Sequence, residues 1–389
     1  MDIYDLIEYG DMIADRVRMD AYALALKSKV RSESVVLDIG TGPGMHALLA
    51  AKLGARKVYA IEPNDAIHLA RQVAQVNGFG DRIEFIQDLS TRVTLPERAD
   101  IIVSDIRGSL PMYGRHIPTI IDARTRHLRE GGQLIPHRDV MYTALVDSPR
   151  AYRDVILAWD NPYAISMDPI KQIVLNTWSD EVTYDLRQRH LLTKPHRWAT
   201  LKYETIEDPD VGSSSIVLEA LREGKAYGWL VWFDTELSPG IGFSNGPDVD
   251  KISEVYGRGF FPLLEPISVR EGDIINLSIH ANLQGTEYEW RWHTCILEGD
   301  DKDAVKADYD QSTTIAKMNE DKLTLPFISL EKPRIDTDGE IALYILQMMD
   351  GHTSIEGIGH QVNEAFSHRF SERQEAIFFV HQIAKQFKA

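Results

Sequence analysis

The chain has a single cysteine, Cys295, in 389 residues. That excludes an internal disulfide framework and any zinc site built on several thiolates, and no metal centre is expected. Long hydrophobic runs are missing too. Although 43% of residues are hydrophobic, no stretch reaches the roughly 20 apolar residues of a membrane span. The N-terminus lacks the basic-then-apolar pattern of an export signal, so the expected location is cytoplasmic. Positive charge is scarce: 42 Lys and Arg against 59 Asp and Glu leave a net charge of −17. Phosphate contacts need a basic surface, so a nucleic-acid partner is not expected. An acidic surface attracts cationic partners such as basic peptides, and it equally serves solubility.

What is present is organised around residues 35–44, Val-Val-Leu-Asp-Ile-Gly-Thr-Gly-Pro-Gly. They read as a short buried strand entering a glycine-rich turn, with a helix over 46–53 beyond it. Asp38, Gly40, Gly42 and Gly44 make up the candidate loop. The glycines permit positive φ and close approach of a ligand to the backbone, and the following helix start offers free N–H groups. No Walker lysine follows the loop. A second strand over 57–61 ends at Glu62, about 20 residues from the loop, where an acid can bind two ribose hydroxyls. A third, 82–86, runs out toward Asp88, whose carboxylate can accept from an adenine amino group. A fourth, 99–104, ends at Asp105. Helices over 66–77 and 117–128 and a strand over 133–136 complete the alternation of an open, mostly parallel α/β sheet. Gly40, Gly42, Glu62, Asp88 and Asp105 all fall at strand carboxyl ends, where such sheets bind ligands. Nicotinamide dinucleotide binding is the alternative for this unit.

Residues 1–29 carry apolar positions near a 3.6 period and read as helical, with Tyr9, Met12, Asp15, Arg18 and Tyr22 on adjoining faces. This helical cover is placed to fold over a cofactor, and Arg18 can pair with a ligand carboxylate. Near residue 140 the pattern changes to short alternating runs punctuated by turn residues, which reads as an all-β barrel or sandwich. The expected division is therefore 1–30 N-terminal helices, 31–139 Rossmann-like domain, 140–300 β-barrel domain, 301–330 polar linker and 331–389 a small helical module. In the last of these, Ser354 and Ser371 read as helix caps.

The Leu-Asp-Ile-Gly-Thr-Gly-Pro-Gly loop and distal Glu62 resemble the S-adenosylmethionine (SAM) site of class I methyltransferases. Over the first three hundred residues the chain resembles the protein arginine methyltransferases. Met12, Asp15, Arg18 and Tyr22 match that family's N-terminal helix, and residues 127–136 match its crossing into the barrel. Residues 159–178 lie near its dimerisation arm. The resemblance implies SAM as cofactor, Arg18 on the SAM carboxylate, a protein or peptide substrate, and a homodimer. The departures lie on the acceptor side. In the family's loop with two glutamates, Asp105 replaces the first and Gly114 the second, while Arg107 adds a positive charge. The barrel's Thr-His-Trp loop aligns with Glu254-Val255-Tyr256, without its histidine. Asp105 is the first candidate for orienting or deprotonating an acceptor, with Tyr113, His116 and Tyr256 as assistants and His293 a weaker one. Residues 339–387 resemble PqqD-like modules, the winged-helix-like leader-peptide binders of ribosomal peptide modification. Three functions follow: methylation of a peptide recruited by that module, arginine methylation with an altered clamp, or an inactive SAM-binding scaffold.

Overall fold

The computed structural model describes residues 5–183, 185–299, 301, 304–316, 335, 337–370 and 372–387. The chain divides into two compact units, Met1–Lys317 and Met318–Ala389. The expected cap Ser371 lies outside the described residues.

The first unit begins with two helices, α1 (Leu6–Ala14) and α2 (Arg16–Lys29). Asp15 breaks them apart: its extended backbone ends α1, and its side chain caps α2 by accepting from the Arg18 amide. There follow β1 (Val35–Ile39), α3 (Met45–Lys52), β2 (Lys57–Ile61), α4 (Ala66–Val76), β3 (Ile83–Ile86), β4 (Ala99–Ser104), α5 (His116–His127) and β5 (Leu128–Ile135). The five strands form a sheet in the order β3-β2-β1-β4-β5, every pair parallel. All five residues of β1 are buried, which is why the strand reads as a continuous apolar run rather than alternating. Ala47, Ala50 and Ala51 of α3 are fully buried, their small side chains letting that helix lie close to the sheet. Chain order reverses at β1, which has β2 on one side and β4 on the other. That is the switch point where a crevice opens beyond the strand ends.

The β region contains β6 (Arg138–Val146), β7 (His196–Lys202), β8 (Val211–Glu219), β9 (Gly224–Ser238), β10 (Ile241–Ser244), β11 (Gly259–Val269), β12 (Ile274–Gln284), β13 (Glu287–Leu297) and β14 (Val305–Ser312). One sheet runs β10-β9-β6-β7 with β11 also on β9; the other runs β14-β13-β12-β8. Inward positions alternate cleanly along β12 and β13. Their aromatic side chains meet those of the first sheet and of the 149–183 insertion. Phe261 packs edge-on to Trp290 and Trp292 at 5.1 and 5.2 Å and stacks on Trp178 at 5.7 Å. The insertion holds α6 (Pro149–Ile156), α7 (Asp168–Val174) and an arm on which Leu157, Tyr163 and Ile165 are exposed.

The polar stretch expected as a linker from 301 is corrected at its start. Residues 305–312 are β14, paired antiparallel with β13, and α8 (Thr313–Ala316) follows. Its polarity belongs to an edge strand's outer face. Ala307 and Gln311 point inward, and the Gln311 amide donates to the Leu175 and Pro262 carbonyls at 2.6 and 2.9 Å.

The second unit has α9 (Thr337–Met348), α10 (Ile355–Ala365) and α11 (Arg373–Phe387). They share a core of Ile341, Ile345, Ile358, Val362, Phe370, Ala376 and Val380. Asp350 closes the turn before α10 by accepting from the His352 and Thr353 amides, and Ser354 caps the helix on Gly357. Gly359 is required where α10 meets α11: a Cβ there would lie 2.9 Å from Ile377 Cα. The three helices stand where expected. The stretch 317–334, where a winged helix needs a sheet edge, lies outside the described residues. Among the described residues, no helix is long and apolar enough to cross a membrane.

Candidate active site

The crevice at the β1 switch point gathers most of the expected side chains. Gly40, Gly42 and Gly44 all take positive φ, at 72, 52 and 94°. The ring of Tyr9 from α1 lies against the loop, so close that a Cβ on Gly42 would sit 2.7 Å from it. The N-terminal helix thus covers the glycine turn. Glu62 accepts from the Gly42 amide at 2.9 Å and the Asn64 amide at 3.0 Å. Burial raises its pKa, and the carboxylate keeps lone pairs for further donors. Asp38 is fully buried at the end of β1, where Oδ2 accepts from Thr41 and from the Ala47 amide. Burial pushes its carboxyl up to about 7. Asp88 sits half-buried at the third strand's exit and accepts from the Leu89 amide.

Arg18 and Asp105 close the crevice from above. Arg18 Nε donates to Asp105 Oδ2 at 2.5 Å, and Nη1 donates to the Met12 carbonyl at 2.8 Å. Met12 therefore contributes its backbone rather than its side chain. Both charged groups are almost fully buried. Burial alone would raise the Asp105 carboxyl, but the Arg18 and Arg107 guanidiniums outweigh it and hold it well below the usual carboxylate range. The Tyr256 hydroxyl also donates to Asp105. A carboxylate so engaged is a poor proton acceptor, so of the two roles expected of Asp105, orienting an acceptor or deprotonating it, this arrangement favours the first.

The expectation for Arg107 is corrected. Instead of facing a substrate, its fully buried guanidinium turns inward. It donates to both Asp139 oxygens at 2.8 and 3.1 Å, to Thr235 at 2.8 Å, and to the Tyr22 and Tyr256 hydroxyls at 2.8 Å. It lies 4.8 Å from the Tyr256 ring centroid. Its charge is neutralised by Asp105 and Asp139, so it repels nothing outside the cluster. Burial raises the Tyr256 phenol, which stays protonated. His116 is not in the crevice. Its Nε2 pairs with the Tyr203 hydroxyl at 3.0 Å, and Tyr203 donates to Asp139 at 2.5 Å. Burial, then Arg107, lowers His116 to about 3, so it is neutral. Tyr113 is 39% exposed at the rim, its ring against Gly108. Gly114 brings no carboxylate, and nothing else lies within 4 Å of where its Cβ would be. His293 is on the outer face of β13, paired with Asp308 at 2.6 Å, away from the crevice.

Sequence reading missed Asp139, Thr235, Tyr203 and Ser253. Asp139 had a visible signal, being a charge at an inward position of β6, two residues from buried Met141. Ser253 and the Val255 amide bind Asp15. The barrel loop is thereby tied to the break between α1 and α2, a long-range contact that no local pattern announces.

The residues present fit SAM. Three buried polar atoms on β1, α3 and β4 lack partners among the described residues: Asp38 Oδ1, His46 Nε2 and Ser104 Oγ. Native proteins rarely leave such atoms unpaired without a ligand or water. Above them are a glycine cradle, an acid at the second strand's end and a buried arginine, which suit an adenosine with an amino-acid tail.

Comparison with known proteins agrees. The family model for ribosomal protein L11 methyltransferase (PrmA) matches residues 22–136. The model for the arginine methyltransferase oligomerization subdomain matches residues 137–292. Protein arginine N-methyltransferase 1 of Schizosaccharomyces pombe is 31% identical over 246 residues, spanning 61% of this chain and 72% of that protein. The Dictyostelium discoideum protein arginine N-methyltransferase 1 is 28% identical over 275 residues, 69% of this chain and 79% of that one. In structure, Arabidopsis thaliana protein arginine methyltransferase 10 superposes with a TM-score of 0.66 at 24% identity, over 79% of this chain and 97% of that one. The Trypanosoma brucei enzyme–prozyme complex with AdoHcy gives 0.69 at 21%, over 78% and 96%. This chain, a Rossmann-like SAM domain joined to a β-barrel-like domain, belongs to the SAM-dependent protein arginine N-methyltransferase family.

Proposed function

We propose that the protein transfers a methyl group from SAM to an arginine side chain of a protein or peptide, through an acceptor site altered from the family's usual form. The observation that carries this is the crevice at the β1 switch point, where Gly40, Gly42, Glu62, Asp38 and Arg18 converge beside three unpartnered buried polar atoms. SAM, when bound, supplies an electrophilic methyl on a sulfonium. The chain's own residues do the rest. Glu62 takes ribose hydroxyls, Arg18 takes the carboxylate, and Asp88 lies toward the base. Asp105, held ionised by two guanidiniums, keeps Arg18 in place. Tyr9 and α1 exclude water from the glycine turn.

A second reading concerns the acceptor. Asp105 is committed to Arg18, Arg107 and Tyr256, and Gly114 brings no carboxylate. An incoming guanidinium would lack the bidentate partner it usually needs, so another side chain of a recruited peptide is the alternative acceptor. The C-terminal unit supports recruitment. Its three helices and capped turn follow the order of PqqD-like leader-peptide binders, and Leu343 and Phe378 remain exposed. A homodimer is proposed through the arm at 157–165, whose apolar side chains face solvent.

Incubating the purified protein with labelled SAM and basic peptides tests the activity, and fragmentation mass spectrometry locates the methyl group. Label on arginine supports the first reading, and label on another side chain supports the second. With no transfer to any peptide, the scaffold role remains. A variant ending at Ala316 that binds substrate peptide as tightly as the full chain would end the recruitment role.

A further inference from the structure

His46 occupies the first turn of α3, directly after the glycine loop, and its side chain plays no part in the fold's hydrogen bonding through Nε2. It is 6% exposed. Its ring stacks on Tyr22 with centroids 4.5 Å apart and planes 30° from parallel. Arg18 lies over the same Tyr22 ring, its Cζ 5.5 Å from the centroid. One aromatic ring therefore contacts both the buried cation and a buried imidazole. The other two unpartnered atoms are close by. The Ala47 amide, next to His46, donates to Asp38, whose second oxygen is unpaired. Ser104 is the register neighbour of Ile39 across β1 and β4. Burial and then Arg18 push the imidazole down to about 3, so it is neutral near pH 7 and presents one donor and one acceptor. Arg18 spends Nε and Nη1 on Asp105, Met12 and Met19, while Nη2 makes no hydrogen bond among the described residues. Two polar groups with unspent capacity thus contact the Tyr22 ring.

We infer that His46 is a further cofactor-binding residue, hydrogen-bonding through Nε2 to the amino-acid end of SAM beside Arg18. This rests on the SAM reading above. An unpaired buried imidazole destabilises the empty protein, and the ligand's carboxylate or amino group resolves that deficit. The residue therefore trades stability of the free protein for grip on one end of the ligand, a pairing that a purely structural histidine does not produce.

Calorimetric titration of full-length protein with two ligands tests this. S-adenosylhomocysteine carries the amino-acid end, whereas 5′-methylthioadenosine lacks it. His46→Leu should weaken S-adenosylhomocysteine roughly ten- to hundredfold, the worth of a hydrogen bond to a charged group. It should leave 5′-methylthioadenosine binding unchanged and raise the melting temperature of the ligand-free protein. His46→Gln, which keeps a donor, should recover most of the loss. Unchanged S-adenosylhomocysteine affinity in His46→Leu overturns the inference. So does equal weakening of both ligands, which would place His46 on the nucleoside or on the fold. If the wild-type protein binds neither ligand, the SAM reading itself falls and takes this one with it.

Discussion

Replacing Arg107 with methionine should strongly destabilise the larger unit. The guanidinium is fully buried and holds Asp139, itself 0% exposed, through two hydrogen bonds at 2.8 and 3.1 Å. Methionine fills a similar volume, so little of the cost comes from a cavity. What remains is a buried Asp139 carboxyl whose other hydrogen-bond partner among the described residues is Tyr203, together with Thr235, Tyr22 and Tyr256 hydroxyls that lose a donor. An uncompensated buried charge costs about 3–5 kcal/mol. All seven tryptophans lie between Trp159 and Trp292, so urea unfolding followed by tryptophan fluorescence reports this unit and not the C-terminal one. Arg107→Met paired with Asp139→Asn should recover more than half of the single-variant loss, giving a coupling of about 2 kcal/mol or more. A single-variant cost under about 1 kcal/mol, or an Asp139→Asn change that adds to the loss, would refute the claim that Arg107 and Asp139 form one neutral buried pair.

Four smaller changes probe the rest. If Glu62 holds the ribose as proposed, Glu62→Gln keeps the size but loses charge-assisted contacts, and calorimetry should show SAM affinity down by about tenfold. Gly42→Ala forces a φ of 52° and drives a Cβ to 2.7 Å from the Tyr9 ring; a loss of roughly 1–3 kcal/mol in urea unfolding, with weakened SAM binding, is expected. Tyr163→Glu places a charge on a side chain that is 98% exposed; if the arm mediates dimerisation, sedimentation should show a shift to monomer. His116 is neutral in the fold down to about 3, whereas in the unfolded chain it takes up a proton below about 6.5. Stability from this group is therefore present above about 6.5 and lost as pH falls toward 3, and His116→Phe should reduce the pH slope of stability by one proton between pH 4 and 6.

The backbone frame of the candidate site was legible because its signals are local. Glycines with positive φ, an acid about 20 residues on and strand ends in alternation all follow from short-range backbone geometry. Asp105, Arg107 and Tyr256 were likewise found by position, but their hydrogen-bond partners were not. Their roles depend on Asp139 from β6, Thr235 from β9 and Asp15 from the helix break, contacts spanning 32 to 240 positions of chain. Residue type alone cannot say whether an arginine beside a substrate loop points outward at a ligand or inward at a buried acid. The strand at 305–312 was missed for a related reason: an edge strand's polar outer face hides its two inward residues.

The inward turn of Arg107 also bears on how the two halves of the larger unit depend on one another. Arg18, Asp105, Arg107 and Asp139 form an alternating series of charges, each within 3.4 Å of the next. It starts at the helix that covers the glycine turn and ends inside the β region. Each interior member is stabilised by neighbours of opposite sign, so removing one strands the next. A ligand that draws Arg18 toward its carboxylate therefore weakens the hold on Asp105, and Asp105 answers by relying more on Arg107 and Tyr256. Tyr256 follows the loop whose Ser253 and Val255 bind Asp15, the residue that caps Arg18's own helix. The circuit closes on itself, so Arg18 and the barrel loop are linked by direct contacts. That linkage predicts that Ser253→Ala, which touches neither crevice nor ligand, will still weaken S-adenosylhomocysteine binding by a few-fold. If calorimetry showed its affinity unchanged, the two ends of the circuit would have to be independent.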